Sequence, residues 1–465
     1  MSVTVVVGFG VSGRAAAAAI APSPVVVIED RPDAEAVRQA EALGIQLVVA
    51  PDETTLEILL ADASEIIVSP GIPPRHPIYR VAQQAQVPVI SEIELAWRHL
   101  SSPGRAPAVL VAITGTNGKT TVATWVHAIL SAAGRHAVLA GNIGYPLVQA
   151  ADQPADVIVA EVSSFQLQYT EHFRPSVSCW LNLSEDHLDW HPTMAAYAAA
   201  KSRIWANQRL GDIAVINADD SAVRMAAGGM PPGVRVLSCV KGPAASGTDT
   251  WVDDGQGLLA PDGETFVTLN ELPRRLPHDR ANALAAAAVA WSAGADLDAC
   301  RRGLMQAPLL AHRVALVADV DGVAWYDDSK ATTPASVVAA VQGFASVVLI
   351  AGGRNKGLDL SVLTACRPAV RAVVAIGEAA PEVMAAFDDE IPTVSANDMD
   401  AAVRAAAAWA QPGDAVLLSP GCASFDWYQS YAERGDHFVA LVQRLGHPVG
   451  TEASKRKDHH DDLDS

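Results

Sequence analysis

The sequence predicts an α/β fold of three successive units, on three observations. Short apolar runs alternate with helical stretches along the chain, the pattern of parallel strands wrapped by helices. Two glycine-bounded loops, at residues 8–13 and 115–120, each follow an apolar run and open a helical one. At 465 residues the chain is longer than one hydrophobic core usually serves.

In the first unit TVVV, an Ala-rich segment, VVVIE, a helical stretch at 33–43, QLVVA and EIIVSPG follow one another as strand and helix. The segment SSPGRAP at 101–107 has linker composition and marks a boundary. The second unit opens with VLVAITGTNGKTT at 109–121 and continues through DVIVAEVS, SCWLNLS, a helix near 194–206 and DIAVINAD. The segment PRRLPHDRANALAAAAVAW then reads as a loop and a long Ala-rich helix. From about residue 310, VVLIAGG, AVVAIG and DAVLLSPG are three apolar strands, each ending in glycine. The expected domains are 1–100, 101–308 and 309–449, with 450–465 a disordered tail because KRKDHHDDLDS is almost wholly charged.

Composition excludes several classes. No apolar run reaches the length of a membrane span, and MSVTVVVGFG enters a strand without a basic flank or cleavage site. Five scattered cysteines form no CxxC pair, so the expected compartment is a reducing cytoplasm without a cysteine-based metal site. A formal charge of −19, from 52 acidic and 33 basic residues, argues against a general nucleic-acid binder.

The run at 109–114 has five apolar residues in six and leads directly into Gly115-Thr116-Asn117-Gly118-Lys119-Thr120. Backbone N–H groups of such a loop wrap an anionic oxygen, Lys119 neutralises a terminal phosphate, and a Thr hydroxyl holds magnesium. The generic motif requires glycine where this chain has Ile113, so a tighter loop is expected.

Gly8-Phe9-Gly10-Val11-Ser12-Gly13, with Glu29 closing the next strand, fits a dinucleotide fingerprint in which the acid takes a ribose hydroxyl. A second phosphate loop in the next unit favours a diphosphate substrate instead. Glu161 ends the run DVIVAE, as a magnesium ligand or as an ordinary acidic strand end. Residues 182–189, NLSEDHLD, crowd acids around His187; a hard cation near phosphate fits better than zinc on Asp186, His187, Asp189 and His191. Lys201, inside a helix, reads from spacing alone as part of a solvated face. Polar loops at AHR (311–313), DDSKAT (327–332), GGRNKG (352–357) and SPGCAS (419–424) all fall at strand ends, where open α/β sheets bind ligands.

Taken in order, TGTNGKTT, GNIGYP, EVSSFQL, SEDHLDWH with Lys201 after it, HDRANALAA, AHR, DDSKAT, GGRNKG and SPGCASFD resemble the muramyl ligases of peptidoglycan synthesis over nearly the whole chain. The resemblance implies a Rossmann-like N-terminal domain for a UDP-sugar, a central P-loop ATPase domain and a Rossmann-like C-terminal domain for an amino acid. It implies a monomeric, cytoplasmic enzyme that uses ATP and two magnesium ions. Its substrates would be UDP-N-acetylmuramoyl-L-alanine and D-glutamate, joined through an acyl phosphate. By resemblance Ser12, Asp30, Arg31, Gly71, Asn142 and Gln166 serve the UDP-sugar. Gly115, Thr116, Asn117, Gly118, Lys119, Thr120, Thr121, Asn282, Arg313, Asp328 and Lys330 serve ATP. Thr120, Glu161, His187 and a carbamylated Lys201 hold metal, with Lys119, His187 and Lys201 catalytic, and Thr332, Lys356, Ser424 and Tyr431 bind glutamate. Four residues depart from the family pattern: Asp279 and Thr333 stand in place of asparagines, Gly421 of an alanine and Tyr431 of a phenylalanine. Competing readings are a relative that adds another amino acid, or glutamate to folate, and a non-catalytic nucleotide-binding regulator.

Overall fold

The computed structural model describes residues 3–105, 108–243, 249–387 and 391–446; the expected charged tail lies outside them. Among the described residues the strands form three sheets. The first contains β1 (Val3–Val7), β2 (Val25–Glu29), β3 (Gln46–Val49), β4 (Ala63–Val68) and β5 (Val89–Ser91), in the order β3-β2-β1-β4-β5. All its pairings are parallel. Val5, Val6, Ile28, Ile66 and Ile67 are fully buried, as apolar strands covered on both faces must be.

The second sheet contains β6 (Val109–Thr114), β7 (Ala137–Gly141), β8 (Val157–Glu161), β9 (Val177–Trp180), β10 (Ile213–Asn217), β11 (Arg235–Lys241), β12 (Thr250–Asp253), β13 (Gly257–Leu259) and β14 (Thr265–Thr268). Its order is β14-β13-β12-β11-β10-β9-β6-β8-β7, which puts β6 between β8 and β9. The Ala-rich helix Pro277–Ser292 buries residues around most of its circumference, so it serves the core on several sides. Close packing also explains Gly303: a Cβ there would stand 2.5 Å from Ile129 Cα on the helix Lys119–Ala132.

The antiparallel edge of this sheet is an addition to the expected pattern. β12, β13 and β14 are joined by turns at Asp254-Gly255 and Asp262-Gly263, where both glycines have positive φ. Asp-Gly between apolar runs is the usual mark of a tight hairpin. The Asp254 carboxylate accepts the N–H groups of Gln256 and Gly257, both at 2.8 Å.

The third sheet has β15 (Ala315–Val320), β16 (Val323–Asp327), β17 (Val347–Gly352), β18 (Val370–Ile376), β19 (Thr393–Ala396) and β20 (Ala415–Gly421), in the order β15-β16-β20-β17-β18-β19. Only β15 runs antiparallel, through the turn Asp321-Gly322. The carboxyl ends of β16, β20 and β17 are therefore neighbours.

By contacts the chain forms two compact units, residues 1–310 with 356–358, and 311–355 with 359–465. The first two sheets thus share one unit. Among the described residues no helix is long and apolar enough to cross a membrane, and all five cysteines are buried free thiols.

Candidate active site

β6 delivers the loop at 115–118 to the start of the helix Lys119–Ala132, so backbone N–H groups at that helix end face outward for an anion. Gly118 caps the helix with φ +84°, a conformation in the left-handed region that glycine adopts freely. Lys119 Nζ donates to Gly115 O at 3.0 Å and Thr116 O at 2.9 Å.

Sheet order sets what flanks the loop. Glu161 at the end of β8 pairs with Ile113 on one side, and Trp180 at the end of β9 pairs with Thr114 on the other. Glu161 is buried; its Oε1 accepts the Asn142 amide at 3.1 Å, while Oε2 is buried with no hydrogen-bond partner. A buried carboxylate oxygen so placed beside a phosphate loop fits a divalent cation.

The acidic loop after β9 holds His187 at φ +57°. Its N–H donates to Asp186 Oδ1 at 2.9 Å, and Nε2 lies 3.2 Å from Asp186 Oδ2. Burial, then the charges of Lys119 and Lys201, push the His187 imidazole down to about 4, so it is neutral and able to ligate near pH 7. Burial raises the Asp186 carboxyl, with the Lys119 charge opposing the shift.

Lys201 is not on a solvated face. It is 1% exposed, donates to Gly115 O at 2.8 Å, and lies 4.6 Å from the centre of the Tyr197 ring. Burial foremost, reinforced by Lys119, lowers its amine well below the ordinary lysine range. The helix Met194–Ser202 turns Tyr197, Ala200 and Lys201 inward. Helical spacing alone did not reveal this inward face.

The zinc alternative fails on His191. That ring stacks on Phe165 and on Tyr197 and places Nε2 2.9 Å from Ser164 Oγ, so the nitrogen is engaged by a hydroxyl. Among the described residues no group of three His, Cys, Asp or Glu side chains forms a metal set by itself. The fit to a cation rests on the unpartnered Oε2 of Glu161 and on the neutral imidazole of His187.

Beside the phosphate loop, a cavity of about 220 Å³ is lined by Asn182, Asn217, Asp219, Lys241, Asp253, His278 and Asn282 among others. In the first sheet, Ser12, Asp30, Arg31 and Gly71 all fall at the carboxyl edge of adjacent strands. Glu29 does not present itself to a ribose: its carboxylate accepts Phe9 N–H at 2.6 Å and Arg31 N–H at 3.1 Å, bracing the glycine loop. Gln166 Oε1 accepts the Ser163 N–H in a capping box, so its carbonyl end is engaged.

In the second unit Asp328 accepts Ser419 Oγ at 2.7 Å and Val314 N–H at 3.2 Å, and burial raises its carboxyl to about 7 against those bonds and the Arg313 charge. Lys330 Nζ sits 3.6 Å from the Tyr431 ring centre, a cation–π contact. Ser424 is buried, Thr332 is half-buried, and Lys356 is counted with the first compact unit. Thr333 caps the helix Pro334–Val341 through Ser336 N–H, which accounts for a hydroxyl where the pattern has asparagine.

A Mur ligase middle domain matches residues 113–290, and a Mur ligase glutamate ligase domain matches residues 312–422. A UDP-N-acetylmuramoylalanine--D-glutamate ligase of Frankia casuarinae is 43% identical over 94% of this chain and 93% of its own. The chain belongs to the Mur ligase family. A Streptomyces coelicolor protein of the same name is 38% identical, covering 95% of this Mur ligase and 98% of its own length. A MurF ligase from Thermotoga maritima in complex with ADP shares the fold at TM-score 0.59 and 16% identity, over 90% of this chain and 94% of that one. This Mur ligase accordingly has the three-domain α/β architecture, with the P-loop ATPase in the middle.

Two residues of the site were not visible in the sequence of this Mur ligase. Tyr197 lies beneath Lys201, its hydroxyl 3.4 Å from Thr116 Oγ1. Asn182 clasps the phosphate loop itself. Position directly after an apolar strand was the only signal for Asn182; Tyr197 had the i, i+4 spacing to Lys201.

Proposed function

We propose that this Mur ligase joins D-glutamate to UDP-N-acetylmuramoyl-L-alanine in cytoplasmic precursor synthesis, with ATP as phosphoryl donor. The observation that carries the reading is the meeting of two lysines on one carbonyl. Lys119 and Lys201 both donate to Gly115 O, at 3.0 and 2.8 Å, and burial with the Lys119 charge lowers the Lys201 amine. Polyphosphate is the anion that suits Lys119 at the end of a glycine loop. Full-length similarity to D-glutamate ligases supports the choice of amino acid.

A carboxylate resists amine attack because its carbon is electron-rich and oxide leaves poorly. Phosphorylating it with the γ-phosphoryl group of ATP makes phosphate the leaving group. The glutamate amine then attacks, the tetrahedral intermediate collapses to an amide, and inorganic phosphate departs. Lys119 stabilises the phosphoryl group in transfer, and N–H groups at the helix end hold its oxygens. Asn142 orients the Glu161 carboxylate. Thr120, Glu161, neutral His187 and a carbamylated Lys201 would hold two magnesium ions, which supply charge neutralisation at the phosphates. The uncharged amine favoured at Lys201 is the form that adds carbon dioxide. Asn282 and the cavity beside it would take the nucleoside; within the second unit Arg313, Asp328 and Lys330 supply charged groups suited to a nucleotide. Ser12, Asp30, Arg31, Gly71, Asn142 and Gln166 bind the UDP-sugar; within the second unit Thr332, Ser424 and Tyr431 bind the glutamate.

The test is phosphate release from ATP over a panel of UDP-muramoyl precursors and amino acids, with both glutamate enantiomers. Release confined to UDP-N-acetylmuramoyl-L-alanine with D-glutamate is expected. Release with another amino acid, or without any precursor, overturns the assignment. Lys119→Ala is expected to fold normally and release no ADP.

A further inference from the structure

The phosphate loop lacks the leading glycine of the generic motif, and the structure shows what closes it. Asn182 stands two residues beyond β9, the strand beside β6. Its Oδ1 accepts the N–H groups of Thr116 at 3.0 Å and Asn117 at 2.9 Å, and its Nδ2 donates to Asn117 O at 3.1 Å. The Thr116 N–H is shared with Asn182 O at 3.1 Å. Thr116 Oγ1 in turn donates to Ser184 O at 3.2 Å and accepts Ser184 N–H at 3.0 Å.

We propose that Asn182 is a positioning residue for ATP: its amide replaces a longer loop, closing residues 115–118 into the shape that receives phosphate. This rests on the assignment of that loop to ATP. In a longer cradle the leading N–H groups themselves turn to the anion. Here two of them are bonded to a side chain, so phosphate recognition falls to Lys119 and to the N–H groups that follow Gly118 at the helix end. The same segment runs on through Ser184 to His187, so one side chain fixes both the phosphate loop and the start of the acidic loop. A primary amide suits the task because it accepts from two N–H groups and donates to a carbonyl without carrying charge beside polyphosphate.

The experiment is direct ATP binding by calorimetry on the full chain, alongside KM for each substrate, in Asn182→Ala and Asn182→Asp. Asn182→Ala removes the three side-chain hydrogen bonds to Thr116 and Asn117, and is expected to weaken ATP binding roughly tenfold or more, with KM for precursor and glutamate within about twofold of wild type. Asn182→Asp keeps both acceptor contacts but sets an oxygen against the Asn117 carbonyl, so its melting temperature is expected to fall less than that of Asn182→Ala while ATP binds more weakly because the loop that receives phosphate gains a negative charge. Wild-type ATP affinity in the Asp variant, or equal rises in all three KM values in the Ala variant, overturns the proposal. Because binding is read without turnover, a chain that binds ATP but ligates no amino acid would refute the proposed ligation and leave this inference standing.

Discussion

Asn282 Oδ1 occupies the space that any side chain at position 118 would need: a Cβ built on Gly118 stands 2.6 Å from it. The long Ala-rich helix is thereby pressed against the phosphate loop, and Gly118 is required twice, by that contact and by its φ of +84°. Gly118→Ala is expected to abolish measurable ATP binding. Adding Asn282→Ala relieves the contact but leaves the backbone strain of about 1–2 kcal/mol, so the double variant should recover part of the folded-state stability and not ATP affinity. Calorimetric titration with ATP and a melting curve on both variants check this.

Asp279 departs from the family pattern in a way the structure explains. It is 1% exposed and takes Arg274 in a two-pronged bond, Nε at 2.6 Å and Nη2 at 2.7 Å, rather than facing the nucleoside cavity. Its charge therefore belongs to the packing of the helix start. Asp279→Asn, which restores the family residue, is expected to destabilise this chain by about 2 kcal/mol, because it removes the two-pronged charge-assisted bond between Asp279 and Arg274. The urea midpoint should fall while KM for ATP holds. A midpoint equal to wild type would show that Arg274 is satisfied elsewhere.

The phosphate loop was legible because strand, loop and helix are contiguous from Val109 to Ala132. What flanks it was legible only in part. Glu161 stood out as an acid ending a buried strand, yet its place beside Ile113 follows from β8 crossing to the edge of β6, which no local pattern states. Spacing alone leaves Lys201 on a solvated face, because burial of a helical lysine depends on tertiary packing against Tyr197 and Gly115. Glu29 fitted a ribose-binding acid by position, but Phe9 N–H claims its carboxylate. The hairpins at Asp254-Gly255 and Asp262-Gly263 carry a local Asp-Gly signal, but their strands are only three or four residues long, too short for an alternating pattern to stand out.

Glu94 links the first sheet's last helix to the central sheet. Its side chain is fully buried, with Oε2 accepting the N–H groups of Glu171, His172 and Phe173 at 3.0, 2.9 and 2.8 Å and Oε1 accepting Arg98 Nε at 2.9 Å. Three amides converging on one oxygen tie together elements of the first compact unit, which holds the first two sheets. Glu94→Ala strands all three and is expected to cost about 3–5 kcal/mol. Hydrogen exchange should show the lost protection at 171–173 first; unchanged exchange there would refute the linkage.

Glu92, two residues earlier, is buried for the opposite purpose and carries a pH dependence. Oε1 accepts Val148 N–H at 2.6 Å, but Oε2 is buried with no partner, and burial outweighs the Val148 and Leu147 amides to raise the carboxyl from 4.5 to about 7. Between those two values the folded chain holds a proton that the unfolded chain has released, so stability attributable to this group is complete below about 4.5 and is lost as pH rises through 7. The full loss is on the order of 3 kcal/mol. Glu92→Gln keeps the acceptor oxygen and cannot ionise. Its urea midpoint relative to wild type should therefore be near zero at pH 4.5, rise to about pH 7 and level off above it; an offset that stays constant with pH would mean that Glu92 remains neutral, or remains charged, across the whole range.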